Sequence, residues 1–177
     1  MEGERKPHEL STLEIQTIIQ NFVESAQRAK VIGIEGIELH AAHGYLLHQF
    51  LSPIANQRQD QYGGSIENRL RLLSEVIDAV ARVFPSTRIG VRLSPYGTFN
   101  DMGDSDPVAL FTAAIQKLNE HHLAYVHMIE PRATSAGGGD QVNEEAPITS
   151  EMFRAAYQGQ FITAGGYDQA MGEKVLE

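Results

Sequence analysis

Ile15, Ile18, Ile19, Phe22, Ala26 and Ala29 recur at helical spacing, which predicts a helix with one apolar stripe. Ser11 and Glu14 stand at its start as a capping box, and the pattern fades near Lys30. Residues 36–40 then read as a short strand, with Ile37 and Leu39 facing one way and Glu38 and His40 the other. A second helix starts near Ser65, carries Ile66, Leu70, Leu73, Ile77, Val80 and Phe84 on its buried side, and is ended by Pro85. Residues 88–94 alternate as a strand, Ile89, Val91 and Leu93 against Gly90 and Arg92. A helix from Pro107 to about residue 121 follows, with proline in its first turn. Residues 123–129 form a third strand, 149–157 a helix and 161–164 a fourth strand. The Gly165-Gly166 turn then leads into a last amphipathic segment.

Strands that alternate with helices imply parallel pairing, because each crossover returns the chain to the same end of the sheet. An open doubly wound sheet and a closed (β/α)8 TIM barrel both satisfy that order. A dinucleotide fold should carry GxGxxG after its first strand, and the sequence contains none. Polar residues stand instead at the C-terminal ends of several strands, at His40, at Arg92 and after Ala164. Barrel enzymes place their chemistry there, so the pattern favours an α/β barrel. Four strands are half of the eight a barrel needs, which leaves two open edges and an uncovered inner face. The expectation is a single partial barrel domain over residues 1–177 that is marginal alone or associates with something.

Bulk properties narrow the function classes. The formal net charge of −9 offers no basic footprint for nucleic acid. No apolar run approaches the roughly 18 residues of a membrane span, and the charged MEGERKPHEL start lacks the apolar core of a secretory signal. The absence of cysteine excludes disulfides and thiolate metal sites. The chain therefore reads as soluble and cytoplasmic. It shows no internal repeat, and its nearest approach to low complexity is the Gly137–Gly139 run.

The dense chemistry lies in His40-Ala-Ala-His43-Gly44-Tyr45. Imidazole N–H groups can hold a developing oxyanion, and a phenol can give up a proton. Two other readings stay open on the residues alone. One is a pair of satisfied histidines beside an interfacial tyrosine. The other is metal ligation by HxxH, which lacks the glutamate of HExxH and a close third carboxylate.

The segment IELHAAHGYLLHQFLSPIANQRQDQYGGSIENRLRLLSEV resembles the signature of the old yellow enzyme family, of the N-ethylmaleimide and oxophytodienoate reductase type. RIGVRLSPYGTFNDMGDSDP, YVHMIEPRA and ITAGGYD continue the likeness in order, so that it covers the chain from about Leu10 onward. The resemblance implies a TIM barrel of which about four central βα units, strands four to seven, are present. It implies an FMN-dependent ene-reductase driven by NADPH or NADH. Its substrates would be small activated alkenes, α,β-unsaturated carbonyl or nitro compounds. Hydride would come from flavin N5 and a proton from tyrosine.

Residue by residue, His40 and His43 match the pair that binds the substrate oxygen, with His40 also counted among the flavin contacts. Tyr45 matches the proton donor. Arg92 matches the arginine beside the flavin N1/O2 edge, and Ala164, Gly165 and Gly166 match a loop that meets the flavin phosphate through backbone N–H groups. No metal is implied.

Arg58, Asp60, Tyr62, Gly63, Gly64, Glu67, Asn68 and Arg69 belong to the same signature and read as a lock on the loop before the second helix. His48 reads as structural, His121 and His122 as helix C-terminal residues, and His127 as a satisfied core histidine. The acidic stretch from Asp101 to Asp106 reads by default as a solvated loop, with shaping of the pocket mouth as the alternative. Family members also carry three earlier strands and a last one, with a threonine and a glutamine at the flavin and a Gly-Arg pair on its phosphate. None of these has a counterpart here. That leaves two alternatives: a catalytically silent half-barrel without FMN, dimerising or complemented by another barrel half, and a metal-dependent barrel hydrolase using His40 and His43.

Overall fold

The computed structural model describes residues 8–133, 143 and 145–176, so the Gly137–Gly139 run lies outside the described residues. Six α-helices and four strands alternate as α1 (Thr12–Val31), β1 (Ile37–Ala41), α2 (Leu46–Leu51), α3 (Ile66–Val80), β2 (Ile89–Leu93), α4 (Pro107–Asn119), β3 (Tyr125–Ile129), α5 (Thr149–Phe153), β4 (Phe161–Ala164) and α6 (Gln169–Leu176). The strands form one sheet in the order β1-β2-β3-β4, every pair parallel. In a doubly wound sheet the strand order reverses at a switch point. Here each new strand is added on the same side, as in a barrel wall, with α1 against α3, α3 against α4 and α4 against α5.

The alternation along each strand separates two chemistries. Leu39, Ala41, Val91, Leu93, Val126 and Met128 are buried in the core. Beside them α3 buries Leu70, Leu72, Leu73, Val76, Ile77 and Val80, and α4 buries Leu110, Phe111, Ala114, Ile115 and Leu118. Each large aliphatic side chain removed from water contributes about 1.5–3 kcal/mol, so this layer holds the wall together. The opposite face carries Glu38, His40, Arg92, Tyr125 and His127. In register, His40 lies beside Arg92, and Arg92 beside His127.

Local chemistry sets the element ends. The capping box of α1 is complete: Ser11 Oγ accepts from Glu14 N–H while Ser11 N–H donates to the Glu14 carboxylate at 2.7 Å. Ser65 and Asp106 cap α3 and α4 through their side chains. The loop before α3 is locked as its residue types suggested. Arg58 Nε donates to Asp60 at 3.0 Å, Asp60 accepts from Tyr62 N–H at 3.0 Å, and Asn56 Nδ2 donates to the carbonyls of Phe50 and Tyr62 at 2.8 and 2.7 Å. Asn68 donates to Gly63, and the buried Arg69 donates to the Leu51 carbonyl.

Two expectations are corrected, and one element was not foreseen. Helix α3 stops at Val80 rather than reaching Phe84, because the N–H groups of Arg82 and Val83 tighten onto Ala79 and Val80. Phe84 is still buried, but from the turn. The helix at 149–157 is α5 followed by a separate 3-10 turn at Arg154–Ala156. Helix α2, six residues long, gave too few turns for a periodic signal.

The fully buried Tyr62 ties α1 to α3, donating from its hydroxyl to Glu75 at 2.9 Å and accepting from Gln16 at 3.2 Å. Tyr62→Phe keeps the ring and removes both bonds. It should cost about 1 kcal/mol in urea denaturation, and an unchanged midpoint would mean that the bridge contributes nothing.

Candidate active site

Strand β1 ends at Ala41, and the chain then reverses through His43 (φ 53°) and Gly44 (φ 71°). Two successive left-handed residues bring the chain back over the strand end, and Tyr45 becomes the N-cap of α2. His40 and His43 stand with ring centroids 5.4 Å apart, and His40 and Tyr45 with centroids 5.2 Å apart. His43 is buried, whereas Tyr45 is 51% exposed. The sequence-predicted trio is thus assembled, with His43 buried, His40 half-buried and the phenol toward solvent.

Left-handed backbone at a histidine is strained and persists only when its surroundings fix it. Here the turn's polar backbone groups are all met by side chains. His43 N–H donates to Ser94 Oγ at 2.8 Å, and Asn100 Nδ2 donates to the His43 carbonyl at 2.9 Å. Gly44 N–H donates to His48 Nδ1 at 3.0 Å, and Gln49 Nε2 donates to the Gly44 carbonyl at 2.7 Å. A β-carbon on Gly44 would lie 2.5 Å from Asn100 Cβ and 2.7 Å from the Phe99 carbonyl, so glycine is required on two grounds.

Ser94, Asn100 and Gln49 are positioning residues whose role the sequence reading missed: they stand within the segments that carry the resemblance, but nothing in the sequence marks them as partners of the His43-Gly44 turn. His48 has the structural role expected of it, as an acceptor. The acidic stretch is corrected: Met102 is buried, and Asp104 turns its carboxylate inward toward Arg69 at 3.4 Å. The need to cover the His43-Gly44 turn pulls that loop in.

The electrostatics make the imidazoles neutral donors. Burial, and then the positive charge of Arg92, push His43 down to about 4. Burial and Arg92 also lower His40, with Glu38 opposing. His48 is held at about 4, by burial first and then by the neighbouring His43 and His40. Because Gly44 N–H points at Nδ1 of His48, that nitrogen carries the lone pair and Nε2 the proton.

Arg92 lies one strand over, in register with His40. Its Nε is buried and has no partner, and among the described residues no carboxylate forms an ion pair with it. An unmet buried donor costs about 1–3 kcal/mol, so this nitrogen is held at a cost. His127 is corrected from core histidine to a member of this face, since Val126 and Met128 take the core side. Its Nδ1 lies 2.9 Å from a Glu38 carboxylate oxygen, while its Nε2 is buried without a partner. His121, just past α4, meets Asp78 at 3.3 Å.

Two strands further along, β4 ends at Ala164, and Gly165 (φ 121°) and Gly166 (φ 65°) turn left-handed immediately above it. Arg92 and this glycine turn fit a flavin on the observations just given: a guanidinium whose Nε lacks a partner for its electron-rich edge and a left-handed two-glycine turn for its phosphate. The metal alternative needs a third ligand. Among the described residues no group of three His, Asp or Glu side chains could hold a metal ion.

A parallel, sequentially ordered wall with its polar residues at the strand C-termini is the arrangement found in the wall of a (β/α)8 barrel. The profile of the NADH:flavin oxidoreductase / NADH oxidase family matches residues 1–176, and the chain belongs to that family. It is 46% identical over 172 residues to 12-oxophytodienoate reductase 1 of Oryza sativa subsp. japonica, covering 97% of this chain and 44% of the relative. It is 39% identical over 172 residues to 12-oxophytodienoate reductase 2 of Arabidopsis thaliana, covering 96% and 44%. Among solved structures, morphinone reductase in complex with tetrahydroNAD superposes with a TM-score of 0.81 at 38% identity, covering 96% of this chain and 45% of that one. The chain thus spans a little under half the length of the relatives it matches, and the fold is part of a TIM barrel.

Depressed imidazole pKa values carry a sign. Unfolded histidines take up protons near the ordinary value of 6.5, whereas His43 and His48 in the fold resist until about 4. Stability is therefore fully present above about pH 6.5 and is lost as the pH falls toward 4. Urea denaturation at about pH 7 and about pH 4.5 should show the drop. His48→Gln, whose amide oxygen can still accept from Gly44, should reduce it. An equal drop in the variant would remove His48 from the account.

Proposed function

We propose that this chain carries the catalytic face of an FMN-dependent ene-reductase, which uses NAD(P)H to reduce alkenes activated by a carbonyl or nitro group. The single observation that carries the reading is the grouping of two neutral imidazoles, an exposed phenol and an unpaired guanidinium at adjoining strand ends. Relatives named for 12-oxophytodienoate and morphinone, carbonyl compounds by name, support a carbonyl substrate. On this reading the four strands are the fourth to seventh of the barrel.

When bound, FMN supplies the hydride equivalents that it receives from the nicotinamide. The chain's own residues supply position and charge. His40 and His43 hold the substrate oxygen with one N–H each, and these hydrogen bonds strengthen as negative charge gathers on that oxygen. With both held below the ordinary histidine value, they donate hydrogen bonds as neutral rings without surrendering a proton. The proton then falls to Tyr45, whose exposure lets it be replenished from solvent. Arg92 sets a fixed positive charge beside His40, where it favours an electron-rich ring edge. Gly165 and Gly166 offer backbone N–H groups to a phosphate.

Purified protein given FMN should show a flavin band that bleaches with NADPH and recovers with cyclohexenone or N-ethylmaleimide. Colourless protein that takes up no FMN would favour the flavin-free half-barrel instead. In the FMN-loaded whole protein, Tyr45→Phe should slow alkene reduction about 10²-fold or more while sparing reduction of the flavin by NADPH. Equal loss in both half-reactions would sink the proton-donor role. His40→Ala should weaken binding of a phenol to the flavin face, measured by the charge-transfer band.

A further inference from the structure

The Gly165-Gly166 turn is shaped from below by two charged residues of the loop after β3, Glu130 and Arg132, which lie in the YVHMIEPRA segment. Glu130 is fully buried, and its carboxylate gathers donors from three segments. Thr149 N–H reaches it at 2.7 Å, Ser150 N–H at 3.0 Å, Thr163 Oγ at 2.9 Å and the Tyr167 hydroxyl at 3.2 Å. Burial opposes ionisation, but the donors of Ser150, Thr149 and Thr163 outweigh it and hold the carboxyl below its ordinary range. Its backbone N–H also donates to the Ala164 carbonyl at 2.8 Å, which fixes the residue just before the turn.

Arg132 completes the arrangement. Its Nε donates to the Gly165 carbonyl at 2.9 Å, its guanidinium lies 4.1 Å over the Tyr167 ring, and its Nη1 meets Met171 Sδ at 3.2 Å. In a trans peptide the C=O and the following N–H point in opposite directions. Holding the Gly165 carbonyl toward Arg132 therefore turns the Gly166 N–H away from it, and no described residue accepts from that N–H. A β-carbon at Gly165 would meet the Glu130 carbonyl at 2.9 Å, so the turn sits directly on this loop.

We infer that Arg132 is a positioning residue for an anion cradle: by pinning the Gly165 carbonyl it aims the Gly166 N–H outward at a phosphate group. The inference rests on reading this turn as part of the FMN phosphate site. Arg132 acts through the peptide plane, and Glu130 anchors Tyr167, on which the guanidinium rests.

The test is a titration of the isotope-labelled chain with inorganic phosphate and then with FMN, following the Gly165 and Gly166 amide resonances. The parent chain should shift both resonances saturably, with the Gly166 amide exchanging rapidly with solvent before ligand is added. Arg132→Lys keeps the charge and loses the planar donor, and should weaken phosphate binding about tenfold. Binding equal to the parent's would show that charge alone suffices and overturn the positioning role. A Gly166 amide protected from exchange in the parent would overturn it without any variant, even if Arg132→Lys fails to fold. Absence of shifts in the parent with both ligands would overturn the phosphate reading of the turn itself, a failure distinct from the other two.

Discussion

Everything in this site depends on the two-residue alternation of parallel strands held in a fixed register. One face of the wall must be apolar, because α1, α3 and α4 bury it. That requirement commits Leu39, Val91, Val126 and Met128 to the core and leaves His40, Arg92 and His127 on the other face. A slip of one residue in any strand would send its ionisable side chains into the helix layer, where an unpaired charge costs several kcal/mol. The packing energy of the core thus doubles as the device that keeps a guanidinium beside an imidazole.

That neighbourhood explains the protonation states. A half-buried cation next to two imidazoles makes a second and third positive charge expensive, and burial of the imidazoles works in the same direction. The result is one permanent charge flanked by neutral donors. Glu38 could have neutralised the group, but its carboxylate is directed to His127. The positive charge of Arg92 is left without an ion-pair partner among the described residues, and such a charge attracts anionic or electron-rich groups.

Much of this was legible in the sequence, for identifiable reasons. Capping boxes, helix stripes and strand alternation are local, so α1, α3, α4 and the four strands could be placed from residue types alone. His40, His43, Tyr45 and Arg92 lie in or beside strands inside a dense signature. What escaped was set by long-range contact. Ser94 and Asn100 reach His43 across more than fifty residues, Glu130 reaches Thr163 and Tyr167 from the neighbouring strand, and none belongs to a pattern of its own. His127 was misplaced because a lone histidine in a strand has no sequence marker for the face it takes; only its apolar neighbours decide that. The α3 terminus was misplaced because Phe84 continues the periodicity after the backbone has already turned.

The two turns that bear the chemistry share a principle of construction. Each is left-handed, hence strained or reserved for glycine, and each is held by the loop of the adjacent strand in addition to any support from its own segment. The turn after β1 is fixed by Ser94 and Asn100 from the β2 loop, and the turn after β4 by Glu130 and Arg132 from the β3 loop. A strained turn supported only by its own segment could relax with that segment. One braced by a neighbouring strand relaxes only if the sheet register fails as well. Geometry at the strand ends is therefore as stable as the wall itself, and a site spread over several strands keeps its shape because each unit is braced by the one beside it.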